Sequence, residues 1–255
     1  MAAELQQENR STRSLSHSAP RLVIFDGDDT LWSTQPLYTR AKRSLERLLR
    51  SASVDASVVI RRLEIIDKKN ARHYRLSPER FPTSMRQTVE RLLRKSKDRA
   101  HLSVRAEDIG RRVFRQRVRP YAGAKELLRM LKARGIYTAL LTRGDRKVQL
   151  QRLAEADLAE LFTSVTVVDE KTAEKYTRIS VAAHATPGQT WVVGNSYKTD
   201  IAPARRAGMR TILVPRHTWD YDKGRLARTD LIAHDLRRVS TFLLRLVSGH
   251  EKQAR

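Results

Sequence analysis

Leu22-Val23-Ile24-Phe25-Asp26-Gly27-Asp28-Asp29-Thr30 sets four apolar residues directly before three carboxylates in four positions. An apolar run without alternation, stopped by Asp and Gly, reads as a strand covered on both faces that ends in a turn. Clustered carboxylates repel one another, and a compensating cation is the simplest way to hold them together. The cluster becomes a site only if other strand ends bring polar residues to the same rim.

Outward from this stretch, further β-branched runs occur at 136–141, 165–168, 190–193 and 211–214, with a weaker one at 230–233. Helix-period stripes lie between them. Ala124, Leu127, Leu128 and Leu131 form one that stops before Gly135, and Leu150, Leu153, Ala154, Leu158 and Leu161 form another. Strand and helix in alternation predict an α/β, Rossmann-like, three-layer core around a parallel sheet with right-handed crossovers. Residues 33–119 break the alternation and show only helical stripes: Leu37, Ala41, Leu45, Leu48; Val59, Leu63, Ile66; Met85, Val89, Leu92; Ile109, Val113. They read as an inserted all-helical cap of roughly four helices. The division expected is a disordered polar tail at 1–19, a core from 20–32 and 120–247, the cap at 33–119, and a flexible tail at 248–255. Leu236, Val239, Leu243 and Leu246 mark a closing helix.

In open parallel sheets ligands sit at the carboxyl ends of the strands. The unusual polar residues fall there: Asp26, Asp28, Asp29 and Thr30; Thr142, Arg143, Gly144 and Asp145; Asp169, Glu170 and Lys171; Gly194, Asn195, Ser196 and Asp200. A hard divalent ion on oxygen ligands, most simply Mg²⁺, would neutralise the acids. A carboxylate beside it can attack phosphorus while a second carboxyl group protonates the leaving oxygen and later activates water. A lysine and a hydroxyl can hold the transferred phosphoryl group.

The segments DGDDT, ALLTRGD, EKT and GNSYKTDI followed by ARRAG resemble the motifs of haloacid-dehalogenase-superfamily phosphatases with a helical cap after the first motif. The resemblance spans roughly residues 21–233. It implies that Asp26 is the nucleophile and a metal ligand, and that Asp28 is the acid/base, with its backbone carbonyl on Mg²⁺. It implies Thr142 as the phosphate-binding hydroxyl and Lys171, in preference to Lys175, as the phosphoryl-binding lysine. The fourth motif departs from the usual Gly-Asp: Asn195 stands where a metal-binding acid is expected, leaving Asp200 as the remaining carboxylate, and both are expected among the metal residues. An Asn carbonyl can still coordinate Mg²⁺, with one negative charge fewer. Asp28 favours phosphate esters over the dehalogenase branch, which needs no acid at that position, while a mutase would run the same half-reactions. Among the neighbours of these residues, Thr30 is expected to brace the turn, and Asp29 and Asp145 to be solvated or capping groups.

The expected reaction is thus Mg²⁺-dependent hydrolysis of a small phosphorylated substrate. Attenuated or non-catalytic binding is the alternative that Asn195 suggests. Charge suggests another. The 255 residues hold 51 Lys and Arg against 28 Asp and Glu, a formal net charge of +23, and 36–118 alone holds 23 basic against 9 acidic residues. Such an excess attracts polyanions, so a phosphatase or binding module for nucleic acid is carried as a further reading, although no stacking aromatics or nucleic-acid motif accompany it. Within the cap, Arg40, Lys42, Arg43, His73, Tyr74 and Arg75 are candidates to read the substrate's leaving group. Without cysteine, disulfide and thiolate chemistry are excluded, and the histidines show no metal-ligand spacing. No leader or membrane-spanning stretch is visible, so a soluble, cytoplasmic protein with no membrane partner is expected, its oligomeric state open.

Overall fold

The computed structural model describes residues 19–50, 52–216 and 229–253. The expected tail at 1–19 lies outside these apart from Ala19. Six parallel strands form one sheet in the order β5-β4-β1-β6-β7-β8, from β1 (Leu22–Phe25), β4 (Tyr137–Arg143), β5 (Ser164–Val168), β6 (Thr190–Gly194), β7 (Arg210–Leu213) and β8 (Leu231–Ile232). β1 lies at the centre, hydrogen-bonded to β4 on one side and β6 on the other. Its side chains alternate between two cores, Val23 and Phe25 in one, Leu22 and Ile24 in the other, which is why all four are apolar. Full burial of each stabilises the fold by about 1.5–3 kcal/mol.

Helices α5 (Ala124–Ala133), α6 (Arg146–Glu155), α7 (Ala173–Ala182) and α8 (Ala202–Arg206) connect successive strands, and α9 (Leu236–Gln253) closes the chain. α9 continues past residue 247, where a flexible tail was expected to begin. The stripe Ala124, Leu127, Leu128 and Leu131 is wholly buried, as its spacing predicts. α6 differs. Its buried face carries Gln149, Arg152 and Leu153, while Leu150 is 37% exposed and Ala154 is exposed. The apolar stripe drawn through Leu150 and Ala154 is therefore set on the wrong face of this helix.

Between β1 and β4 the chain forms α1 (Gln35–Arg50), α2 (Ala56–Tyr74), α3 (Arg80–Leu92) and α4 (Arg99–Arg112), packed on one another. It leaves and returns side by side through a two-stranded antiparallel ribbon, β2 (Trp32–Ser33) against β3 (Arg119–Pro120). Among the described residues no helix is long and apolar enough to cross a membrane.

Candidate active site

The carboxyl ends of β1, β4 and β6, with the loop after β5, meet beneath the helical insertion around a cavity of about 120 Å³. Asp26, Asp28, Lys171 and Asn195 line it, together with Tyr38, Arg80, Phe81 and Phe114 from the insertion side and Gln149 and Arg152 from α6. None of Arg40, Lys42, Arg43, His73, Tyr74 or Arg75 does. The insertion instead presents an aromatic wall, with Tyr38 edge-on to Phe81 at 5.1 Å and to Phe114 at 6.3 Å between ring centroids.

Asp26 sits at the end of the central strand. Its Oδ1 accepts from Lys171 Nζ at 2.5 Å and its Oδ2 from Thr30 Oγ1 at 2.9 Å. Lys171 Nζ also donates to Asp200 Oδ1 at 2.6 Å. Two buried carboxylates thus share one ammonium that is 6% exposed. Burial raises the Asp26 carboxyl to about 7, against the pull of Lys171 and with added repulsion from Asp200. Burial opposes the Lys171 charge, but Asp200 and Asp26 outweigh it and hold the ammonium above its ordinary value. Lys175 stays at the surface and donates to the Glu170 carbonyl at 2.6 Å.

Asp200 returns under β6 through the π-helical turn Tyr197–Ile201. Its Oδ2 accepts from the Ser196 amide at 2.9 Å, so each of its oxygens already has a protein donor. The approach requires Gly194, since a Cβ there would run into the Asp200 side chain. Asn195 brings Oδ1 to 3.3 Å from Thr30 Oγ1. Thr30 therefore ties Asp26 to Asn195 as well as bracing the turn.

Asp28 Oδ1 accepts from Trp32 Nε1 at 2.7 Å, and Oδ2 accepts from Gln149 Nε2 at 3.0 Å and Arg152 Nη1 at 2.6 Å. Thr142, at the end of β4, is 1% exposed and donates from Oγ1 to Gln149 Oε1 at 2.9 Å. It is not among the residues that line the cavity. Asp29 is buried with φ +57°, a left-handed conformation that Asp tolerates better than most residues. Its carboxylate accepts from the Thr34 and Gln35 amides at the start of α1, so of the two expected roles it caps rather than being solvated. Asp145 likewise caps α6 through the Val148 amide. Gln149 and Arg152 went unnoticed in the sequence. The signal was there: once Leu153 and Ala156 are placed inside, helical spacing carries 149 and 152 to the same buried face.

The oxygens gathered here are hard donors of the kind that hold Mg²⁺, and the charge balance suits a cation, with two buried carboxylates on one ammonium. Among the described residues no three His, Cys, Asp or Glu side chains gather as a metal cluster. Asp26, the Asn195 amide oxygen and backbone carbonyl oxygen are the donors open to an ion, while both oxygens of Asp200, also expected as a metal residue, accept from Lys171 and the Ser196 amide.

A family model described as haloacid dehalogenase-like hydrolase matches residues 20–208. The chain is 32% identical over 142 residues to a phosphoserine phosphatase of Thermus thermophilus, covering 53% of this chain and 56% of that protein, so the match spans about half of the relative's length. A haloacid dehalogenase-like family hydrolase from Xanthomonas campestris superposes with TM-score 0.73 at 26% identity, over 92% of this chain and 95% of the other. L-2-haloacid dehalogenase from Xanthobacter autotrophicus shares the fold, with TM-score 0.59 at 17% identity over 88% and 98% of the two chains. A phosphatase and dehalogenases both stand among these similar proteins, and what the solved structures share with this chain is the fold. The chain belongs to the haloacid dehalogenase-like hydrolase family.

Proposed function

We propose that the protein is a Mg²⁺-dependent phosphomonoester hydrolase acting on a small phosphorylated metabolite. One observation carries the reading: Lys171 bridges Asp26 and Asp200 at the centre of the sheet, and Asp28, two residues beyond Asp26, faces the same cavity. A carbon-attacking hydrolase has no use for that second acid, whereas phosphoryl transfer needs a proton for the leaving oxygen.

Asp26, the Asp28 backbone carbonyl and Asn195 would hold the metal, with Asp200 adding charge from behind Lys171. When bound, Mg²⁺ supplies positive charge to the phosphoryl oxygens. An Asp26 carboxylate oxygen attacks phosphorus, the bond to the ester oxygen breaks, and Asp28 gives that oxygen its proton. In the second half, Asp28 takes a proton from water, whose oxygen attacks phosphorus. Inorganic phosphate leaves and Asp26 is regenerated. Lys171 offsets negative charge on the transferred group throughout. Thr142 can reach a phosphoryl oxygen only by releasing Gln149. The helical insertion acts as the cap, and its wall of Tyr38, Phe81 and Phe114 bounds the space for the leaving group.

Purified protein with Mg²⁺ should hydrolyse an aryl phosphate, and Asp26→Asn should lower kcat by about 10³-fold or more. Equal rates for wild type and variant across a broad panel of phosphate esters would refute the reading.

A further inference from the structure

We infer that Arg152 and Gln149 are positioning residues for phosphoryl transfer: from one face of α6 they aim the Asp28 carboxylate. The inference rests on the phosphatase reading above. A helix packed on a parallel sheet ordinarily buries aliphatic side chains, yet α6 buries a guanidinium and an amide and leaves Leu150 outside. Burying such groups is costly unless each finds a partner of matching charge or hydrogen-bonding capacity. Here the partners are the side chains proposed to react.

Arg152 is 6% exposed and its Nη1 lies 2.6 Å from Asp28 Oδ2. Gln149 Nε2 donates to the same oxygen at 3.0 Å, while its Oε1 accepts from Thr142 Oγ1 at 2.9 Å. Trp32 Nε1 holds the other Asp28 oxygen at 2.7 Å. A carboxylate on a two-bond side chain would otherwise rotate freely; three donors on two oxygens fix its plane. The Arg152 guanidinium also meets the Tyr38 phenol of α1, so the aim of Asp28 is set where cap and core touch. Neither Arg152 nor Gln149 is required to touch the phosphoryl group for this role.

A structural contribution and a positioning contribution separate in the leaving-group dependence. An ester with a basic leaving oxygen needs the Asp28 proton; one with a weakly basic leaving oxygen departs without it. We compare kcat/KM for phenyl, 4-nitrophenyl and 2,4-dinitrophenyl phosphate at saturating Mg²⁺ in wild type, Arg152→Met, Arg152→Lys and Gln149→Met. For Arg152→Met the expected loss is about 10²-fold on phenyl phosphate and under about 5-fold on 2,4-dinitrophenyl phosphate. Arg152→Lys should recover part of the phenyl phosphate loss, Gln149→Met should show the same slope, and inhibition by inorganic phosphate should stay within about twofold. Equal losses across the three esters, or losses matched by weaker phosphate inhibition, overturn the inference. If Arg152→Met does not fold, Arg152→Lys and Gln149→Met decide by the same slopes. If wild type hydrolyses none of the esters, the phosphatase reading falls and this inference with it. If wild type is active and the variant slopes parallel its own, this inference alone falls.

Discussion

Asn195 brings a neutral amide oxygen to a position where a carboxylate would add a full charge beside Asp26. A carboxylate there would strengthen the hold on a divalent cation and would also sharpen repulsion with Asp26 and Asp200 when no cation is bound. Asn195→Asp should tighten Mg²⁺ by about tenfold, read from the Mg²⁺ dependence of hydrolysis and independently by calorimetry. An unchanged affinity would mean that the amide is not among the ligands. That Asp26, Asp28, Lys171 and Asn195 meet at one rim was legible in the sequence because each lies within three residues of the end of an apolar run. The role of Thr142 was less so, since nothing in a lone threonine after a strand tells which way its hydroxyl turns.

At the scale of elements, the start of α2 offers a cleaner measurement. The Asp55 carboxylate accepts from the Ser57 hydroxyl and from the Ser57 and Val58 amides, and these bonds lower its affinity for protons. The folded chain then holds that proton less readily than the unfolded one, so the cap contributes fully above the ordinary carboxylate range. Its contribution is lost as pH falls through the lower folded value. Asp55→Ala should therefore lower Tm at neutral pH, and the gap to wild type should narrow as the pH drops below about 4. A constant gap would assign the effect to something other than the charged cap. The six strands of the large sheet were legible because apolar runs bounded by Gly and Asp leave few alternatives, and the observed limits fall close to those runs, whereas the short β2–β3 ribbon has no such run. α6 was misread because hydrophobic periodicity assumes that a buried face is apolar. That assumption fails where a helix serves a site, and Leu150 rather than Gln149 then looks like the inward residue.

Across the whole molecule, four of the nine acids at 36–118 pair with arginines of the insertion: Arg80 with Asp67, Arg86 with Glu90 and Glu107, Arg111 with Glu79 and Glu107. The +23 excess therefore repels itself over the surface. Raising monovalent salt from about 0.01 M to about 0.1 M shortens the screening length from about 30 Å to about 10 Å. Tm should rise by about 2–4 °C, equivalent to about 1 kcal/mol, in a differential scanning calorimetry series. A falling Tm would place the dominant electrostatic contribution in the ion pairs instead. Trp32 gives the same molecule an optical handle. Its indole donates to Asp28, its ring occupies the space that Gly27 leaves open, and its backbone forms the ribbon through which the chain enters the insertion. Trp191, by contrast, is stacked edge-on against Phe242 deep in the core. Read against Trp191 and Trp219, the chain's two other tryptophans, Trp32 emission thus reports on the field of the Asp28 carboxylate at the point where the chain enters the insertion.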